Sequence, residues 1–484
     1  MRNWKLTLKL IGILLFIEAA LLFACMCVSW FYREDVMPFV WSILVAVGIG
    51  SIFTLLGVNS AKSIGRRDGY FVVSVTWIVF SFIGMLPFLF EGCIKDVASA
   101  FLETMSGFTS TGATVIDDLS KVPNGIIFWR SMTQWIGGLG IIFFTIAVLP
   151  AFGVGEVKLF AAESVGPISQ KVHPRISIAA KWIWSVNMLL TLGCFISLLL
   201  CGMGVFDAVN ISMATVSTGG FAPTSILLHD AYNSRAVEYV ITFFMFASGI
   251  NFTLLYYTIL RGQVKSFFRD AELRCYMIIV SAAVAVCTIV LHFISGRGLE
   301  EAFRASAFTV VSLQTTTGFA TYDYTLWPEM LVPVLLIVMV CGGCSGSTSG
   351  AFKCIRLSMI ARILKNEFTR ILHPQAVLPV KINNSVVSSS VRQTLLAFTS
   401  IYAISIVAGI LVLCFCGVQF YESVGLSITS LGNVGPGIGY FGPSHTFSVL
   451  PPVAKWTCSF LMLIGRLEIF PIILIFTRSY WKKS

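Results

Sequence analysis

Four times along the chain, an apolar stretch too short to cross a bilayer runs into a turn built from Ser, Thr, Asn and Gly. The four segments are DVASAFLETMSGFTSTGATV, VFDAVNISMATVSTGGFAP, EEAFRASAFTVVSLQTTTGFATYD and FYESVGLSITSLGNVGPGIGYFG. Aligned on Gly112, Gly219, Gly318 and Gly435, they recur at intervals of roughly a hundred residues, the mark of an internal repeat. Each copy sits between longer apolar runs, so the repeating unit reads as helix, half-helix, loop, helix. Four such units can meet around one axis.

The surroundings of these segments are membrane. Hydrophobic residues make up 56% of the 484 positions and charged residues 12%, and the mean hydropathy is +0.86, beyond what a soluble surface tolerates. Runs long enough to cross read at 6–30, 37–58, 70–90, 125–150, 176–202, 236–260, 275–296, 330–360, 393–417 and 453–478. The first is retained as a helix, since it is about 25 residues long and lacks a small-residue cleavage site. The net charge of +10 is explained by topology. With both termini in the cytoplasm, Arg66 and Arg67, Lys158 to Lys181, Arg261 to Arg274, Lys353 to Arg392, and Lys482 and Lys483 all lie inside, as the positive-inside rule requires. Carboxylates collect on the outer loops, where they concentrate cations. The expected partner is therefore a lipid bilayer and not nucleic acid.

Non-helical backbone at membrane depth persists only where protein buries it or where it lines a wet path. Each half-helix is about 10 to 14 residues, roughly 15 to 20 Å, which brings its C-terminal end halfway across. The partial negative charge there favours a cation, and the glycine lets successive carbonyls turn toward the axis. A ring of carbonyls from Ser110, Thr111 and Gly112, Ser217, Thr218 and Gly219, Thr316, Thr317 and Gly318, and Asn433, Val434 and Gly435 is thus a candidate selectivity filter that replaces an ion's hydration shell. The alternative is four ordinary outer loops with turn glycines. Asn433 and Val434 make the fourth wall the least like the others.

Other features are weaker. Cys341 and Cys344 have CxxC spacing, but no second ligand pair or nearby His supports zinc or redox chemistry, and the 13 cysteines form no disulfide framework. The five His, at 173, 229, 292, 373 and 445, are scattered over both faces, so no converging catalytic set exists and an enzyme is not expected. Glu103 in the first half-helix is either a counter-charge near the ion or a cap on loop amides behind the filter. Arg130 and His445 are assigned to outer loops. The stretch CGGCSGSTSGAFK, residues 341–353, breaks the eighth span. Arg466 lies too deep to snorkel and needs a partner or water. A pair with Glu468 is disfavoured because residues two apart point to different helix faces. The alternative function is a proton- or sodium-coupled cation symporter with alternating access; Glu18 and Glu468 are the only other deep charges, which argues against a proton relay but not against passage of a co-ion through the same pore.

Across nearly the whole chain, RRDGYFVVSVTWIVFSFIGMLPF, SGFTSTGATV, WRSMTQWIGGLGIIFFTIAVLP, SVGPISQKVHPR and GRLEIFP resemble signatures of the bacterial TrkH branch of the Trk/Ktr/HKT superfamily of potassium transporters. The resemblance implies an all-α polytopic membrane protein with four pseudo-symmetric pore repeats and two extra N-terminal helices. The segments are then 1–65 for the extra helices and 66–155, 156–262, 263–375 and 376–484 for the repeats. It implies K+ as the transported ion, held by backbone carbonyls, and residence in the bacterial inner membrane. It implies a gate in Gly342, Gly343, Gly346, Ser347 and Gly350, with Arg466 as a positive barrier under the filter. It further implies a homodimer docked on a cytosolic TrkA-like ring, which alone would bind ATP, ADP or NAD.

Overall fold

The computed structural model describes residues 4–58, 66–148, 176–376, 378–383 and 385–482. The SVGPISQKVHPR stretch, Lys158 and His173 lie outside the described residues. Two long helices, α1 (Trp4–Phe31) and α2 (Met37–Leu56), form an N-terminal pair. They cross where a Cβ on Gly12 would come within 2.7 Å of the Gly50 carbonyl, so the absence of a side chain sets the approach. The rest of the chain repeats one pattern four times.

In the first repeat, α3 (Arg66–Gly84) is followed by the half-helix α4 (Val97–Phe108), a loop, and α5 (Asn124–Val148). The second has α6 (Ile176–Leu200), the half-helix α7 (Val205–Val216), and a descending pair α8 (Arg235–Ser248) and α9 (Phe252–Arg261). The third has α10 (Ala271–Phe293), the half-helix α11 (Leu299–Gln314), α12 (Val332–Cys341) and α13 (Cys354–Leu372). The fourth has α14 (Ser389–Phe415), the half-helix α15 (Phe420–Gly432), α16 (Pro452–Arg466) and α17 (Phe470–Ile475). The fold is an all-α polytopic membrane fold. The strands among the described residues are a two-residue antiparallel pair, Lys381–Ile382 with Ser385–Val386, which clips the connection between α13 and α14.

Ten uninterrupted crossings are not what the described residues contain. Six helices are long and apolar enough to cross, and a seventh candidate, Arg235–Ser248 with Phe252–Ile259, is bent by 105°. The breaks share one place in the pattern: the helix that follows each loop. Gly140 interrupts α5 with φ 13 and ψ −97, residues 249–251 separate α8 from α9, residues 342–353 separate α12 from α13, and residues 467–469 separate α16 from α17. The helix that precedes each loop is continuous, faces lipid on one side, and reads plainly as hydropathy.

Two apolar cores hold this arrangement. One gathers the N-terminal pair with the first and fourth repeats, the other the second and third repeats. The half-helices lie between them. In α4 every residue from Ala98 to Phe108 is buried, as a segment with no lipid face must be. Its N-terminus is capped by the Asp96 side chain, which accepts from the Ser99 amide at 2.9 Å.

Candidate functional site

All four half-helices end in the same way. The amides of Thr111, Gly219, Thr317 and Val434 donate to the carbonyls of Ser106, Ala214, Ser312 and Thr429 at 2.8, 2.8, 2.8 and 2.9 Å. The residue before each is left-handed: Ser110 at φ 53, Thr218 at 52, Thr316 at 57 and Asn433 at 54. This six-to-one closure with a left-handed residue is a Schellman stop, in which Gly usually takes the strained position. Here Ser, Thr or Asn does, at about 1–2 kcal/mol each. The strain turns the chain so that the next carbonyls leave the helix axis. A glycine follows in a second positive-φ conformation: Gly112 at 90, Gly220 at 81, Gly318 at 80 and Gly435 at 103.

That geometry corrects the register of the second copy. The backbone equivalent of Ser110, Thr111 and Gly112 is Thr218, Gly219 and Gly220, one residue later than Ser217, Thr218 and Gly219. Ser217 is instead the last right-handed residue of α7, with φ −76 and ψ −4. Two adjacent glycines leave a sequence alignment undecided; the hydrogen bonds decide it.

The four loops close on one another in order. A Cβ on Gly112 would stand 2.3 Å from the Gly219 carbonyl oxygen, one on Gly220 1.9 Å from that of Thr317, one on Gly318 2.2 Å from that of Val434, and one on Gly435 2.6 Å from that of Thr111. Each glycine is therefore the seat for the next loop's carbonyl, and the chain of contacts returns to its start. Gly112, Gly220, Gly318 and Gly435 also share the floor of a single cavity of about 140 Å³, with Thr114, Asp117, Arg130 and His445 on its walls. Beside it, hydrogen bonds from Lys121 and Ser120 hold the Asp118 carboxyl down at about 2.

Buried polar groups brace the ring from behind. The Glu103 carboxylate accepts from Arg130 Nε at 2.8 Å, Thr114 Oγ1 at 3.1 Å and the Val115 amide at 2.8 Å. Arg130 continues to the Ala222 carbonyl at 3.2 Å and lies over the Phe221 ring at 4.2 Å, tying the first loop to the second. Glu103 thus caps one loop amide, that of Val115. Arg130 is not in an outer loop: it sits on α5, 2% exposed, and the compensating carboxylate is what makes burial tolerable. Gln134 donates to the Gly219 carbonyl at 2.6 Å and accepts from the Phe221 amide at 2.9 Å. Asn433 donates to Thr111 Oγ1 at 3.0 Å and to the Met462 carbonyl at 2.9 Å, so its amide does for the fourth wall what hydroxyl pairs such as Thr315 and Thr317, 2.8 Å apart, do for the third.

A second braced set lies between the second and third repeats. Glu238 takes both the Arg304 guanidinium and, at 2.7 Å, His229 Nδ1, and the Tyr322 hydroxyl is 3.3 Å from the His229 ring nitrogens. Glu18 is not alone among the described residues as a carboxylate shielded from solvent. Glu103, Glu238 and Glu272 are buried as well, each beside a cation or backbone amides, and so invisible to a hydropathy window.

On the side of the ring away from the cavity, residues 342–353 fill the space under the half-helix ends. The Gly350 amide donates to Thr316 Oγ1 at 2.7 Å, the Ala351 amide to the Gly432 carbonyl at 2.9 Å, and Thr348 Oγ1 to the Val216 carbonyl at 3.1 Å. Arg466 donates from Nη1 to the Thr348 carbonyl at 2.9 Å and from Nη2 to the Gly137 carbonyl at 2.5 Å, which links this segment to α5 beside its kink. Gly342, Gly343, Gly346, Ser347, Gly350 and Arg466 thus converge on one region. Glu468 pairs with Arg356 at 2.5 Å, and Glu468 and Ile469 take left-handed conformations that turn α16 into α17. Cys341 and Cys344 belong to no metal-holding cluster among the described residues.

Residues 39–483 match the protein family described as TrkH, cation transport protein. The chain is 34% identical over 491 residues to the Trk system potassium uptake protein TrkH of Escherichia coli K12, covering 99% of this chain and 100% of that one. It is likewise 34% identical over 476 residues to the Trk system potassium uptake protein TrkG of the same organism, covering 97% of each. The crystal structure of the potassium transporter TrkH from Vibrio parahaemolyticus superposes with a TM-score of 0.89 at 31% identity, covering 99% of this chain and 100% of that one.

Proposed function

The chain belongs to the TrkH family of cation transport proteins, a multi-pass membrane protein and not an enzyme, and from that premise we propose that it carries K+ inward across the bacterial inner membrane through the ring of loops. The observation that carries the reading is the cyclic seating of four glycines against four carbonyls. Backbone oxygens presented from four sides at one level can replace the water of a dehydrated monovalent cation, and a braced ring holds them at that spacing. The filter is Ser110 to Gly112, Thr218 to Gly220, Thr316 to Gly318 and Asn433 to Gly435. The four segments 66–155, 156–262, 263–375 and 376–484 are its walls, and 1–65 is an added support.

In this reading an ion gathers in the acid-rimmed cavity, sheds water at the carbonyls, and meets residues 342–353 and Arg466 as the gate. The guanidinium adds a positive charge on the exit path, which raises the barrier until the segment withdraws. Both termini are cytoplasmic, since that orientation places the basic loops inside. The chain works as a homodimer on a TrkA-like cytosolic ring, and any ATP, ADP or NAD is bound by that ring.

The test is rubidium-86 uptake into proteoliposomes, with K+, Na+ or Cs+ as competitors, beside a Gly318→Ser variant. Uptake blocked by K+ but not by equal Na+, with the preference lost in the variant, is the expected result. Selectivity indifferent to Gly318 removes the ring from the ion path.

A further inference from the structure

Beyond Gly318 the third loop is held residue by residue. Ser312 Oγ donates to the Phe319 carbonyl at 2.6 Å, the Leu228 amide to the Ala320 carbonyl at 3.1 Å, and the Tyr324 hydroxyl to the Gly437 carbonyl at 2.7 Å. The first tie comes from the loop's own half-helix, the second from the second repeat and the third from the fourth. Leu228 opens a short helix, Leu228–Tyr232, and the next residue on it makes another connection to the same loop. The His229 ring packs on Tyr322 with centroids 4.6 Å apart, and the Tyr322 hydroxyl lies 3.3 Å from His229 Nε2.

Glu238 gives this connection a direction. Its carboxylate is buried on α8 and takes the guanidinium of Arg304, buried on the half-helix α11, which also donates from Nε to Glu300 at 3.1 Å. His229 Nδ1 stands 2.7 Å from the same carboxylate. A carboxylate paired with a guanidinium accepts and does not donate, so Nδ1 is the nitrogen that carries the hydrogen. In the neutral ring Nε2 is then left to accept from the Tyr322 hydroxyl. Donation therefore runs one way, from Tyr322 to His229 to Glu238, and Arg304 closes the end. Such a chain acts as a unit in a low-dielectric setting, and it ties the third loop to α8 and to the half-helix that leads into it.

We propose that His229 and Tyr322 are positioning residues for ion selection, which fix the stretch after Gly318 and, through it, the seat that Gly318 offers to the Val434 carbonyl. Neither residue lines the cavity that the four glycines floor, so both act through the loop and not on an ion. His229 acts twice: its ring holds Tyr322, and its bond to Glu238 fixes the short helix from which the Leu228 amide reaches Ala320. The hydrogen-bonded chain stands on its own geometry; its effect on ion choice rests on the proposed K+ filter.

Two variants cut the same bond from its two ends. Tyr322→Phe removes the hydroxyl and keeps the ring, whereas His229→Asn keeps an N–H for Glu238 and removes the acceptor for Tyr322. The full-length protein, each variant and the double variant are compared by rubidium-86 uptake into proteoliposomes with K+ or Na+ as competitor. The ratio of the Na+ to the K+ concentration that halves uptake is expected to fall several-fold in either single variant and no further in the double, since residues acting through one bond are not additive. An unchanged ratio in Tyr322→Phe, or effects that multiply in the double variant, overturns the positioning role and leaves K+ transport standing. The second measurement is the gain in thermal unfolding temperature in detergent when K+ replaces Na+, which reads ion binding without transport. That gain is expected to shrink in the same non-additive pattern, and a drop of equal size in both salts with the ratio intact marks a scaffold only and overturns the proposal. If the unaltered protein passes no rubidium, the transport reading falls and the unfolding gain takes the place of the ratio: no gain from K+, or a gain indifferent to Tyr322→Phe, then overturns the positioning role as well.

Discussion

The two sides of the loop ring are built on opposite plans. Toward the cavity, four loops repeat one backbone conformation with non-identical side chains, and each seats the next. On the other side, the four helices break at comparable places but by four different devices: a glycine kink at Gly140, a bend through 249–251, an excursion over 342–353, and a left-handed pair at Glu468 and Ile469. In the proposed reading, sameness serves the side where one spherical ion meets ligands from every direction, while control needs only one element that moves; the third repeat carries the longest break among the described residues.

The contrast is broken most severely by removing what braces the ring. Arg130→Ala leaves the Glu103 carboxylate buried without its cation, and loss of one partner of such a pair amounts to about 3–5 kcal/mol. A sharp fall in thermal unfolding temperature in detergent is expected. The double variant Glu103→Gln with Arg130→Met recovers most of it. Next in size is Gly220→Ala, which places a Cβ at φ 81 and 1.9 Å from the Thr317 carbonyl. Backbone strain of about 1–3 kcal/mol together with that overlap should remove competition by K+ in the rubidium assay. Gly219→Ala would meet chiefly the Gln134 side chain and should do less; equal effects would reject the corrected register.

Below the ring the changes are expected to act on rate and not on selectivity. Arg466→Ala deletes the bonds to Thr348 and Gly137 and, in the proposed reading, a positive charge on the exit path, so uptake should rise several-fold with the K+ over Na+ preference intact. A fall in uptake would turn Arg466 from barrier into scaffold. The smallest step is Thr348→Val, which keeps shape and loses the hydroxyl bond to the Val216 carbonyl. At about 1 kcal/mol for one hydrogen bond, a change of a few-fold at most in uptake is expected.

Much of this molecule can be read from its letters because the bilayer leaves few options. Continuous lipid-facing helices, the four half-helices and the glycine-rich interruption at 342–353 all announce themselves through length, hydropathy and composition. What was not legible depends on partners far along the chain. Arg130 resembles a loop residue until Glu103 is placed against it. The turn at Glu468 and Ile469 contains no glycine; it is enforced in part by the ion pair with Arg356, 112 residues away. The register of the second loop escaped for the opposite reason, since Gly219 and Gly220 are adjacent and local spacing cannot choose between them.

The cyclic seating of the loops also dictates when the ring can come into being. Its last joint sets Gly435 on the Thr111 carbonyl and the Asn433 amide on the Thr111 hydroxyl, and Asn433 lies 322 positions from Thr111. At a synthesis rate of about 5–20 residues per second, the first loop waits roughly 16 to 64 seconds in the membrane before the fourth exists. During that interval the Val115 amide and the Thr114 hydroxyl of the first loop have the Glu103 carboxylate as acceptor, and its cation Arg130 follows 27 residues later. The buried pair is thus a provisional scaffold as well as a permanent one, and a chain lacking it would be exposed to misassembly and degradation before it was ever asked to move an ion.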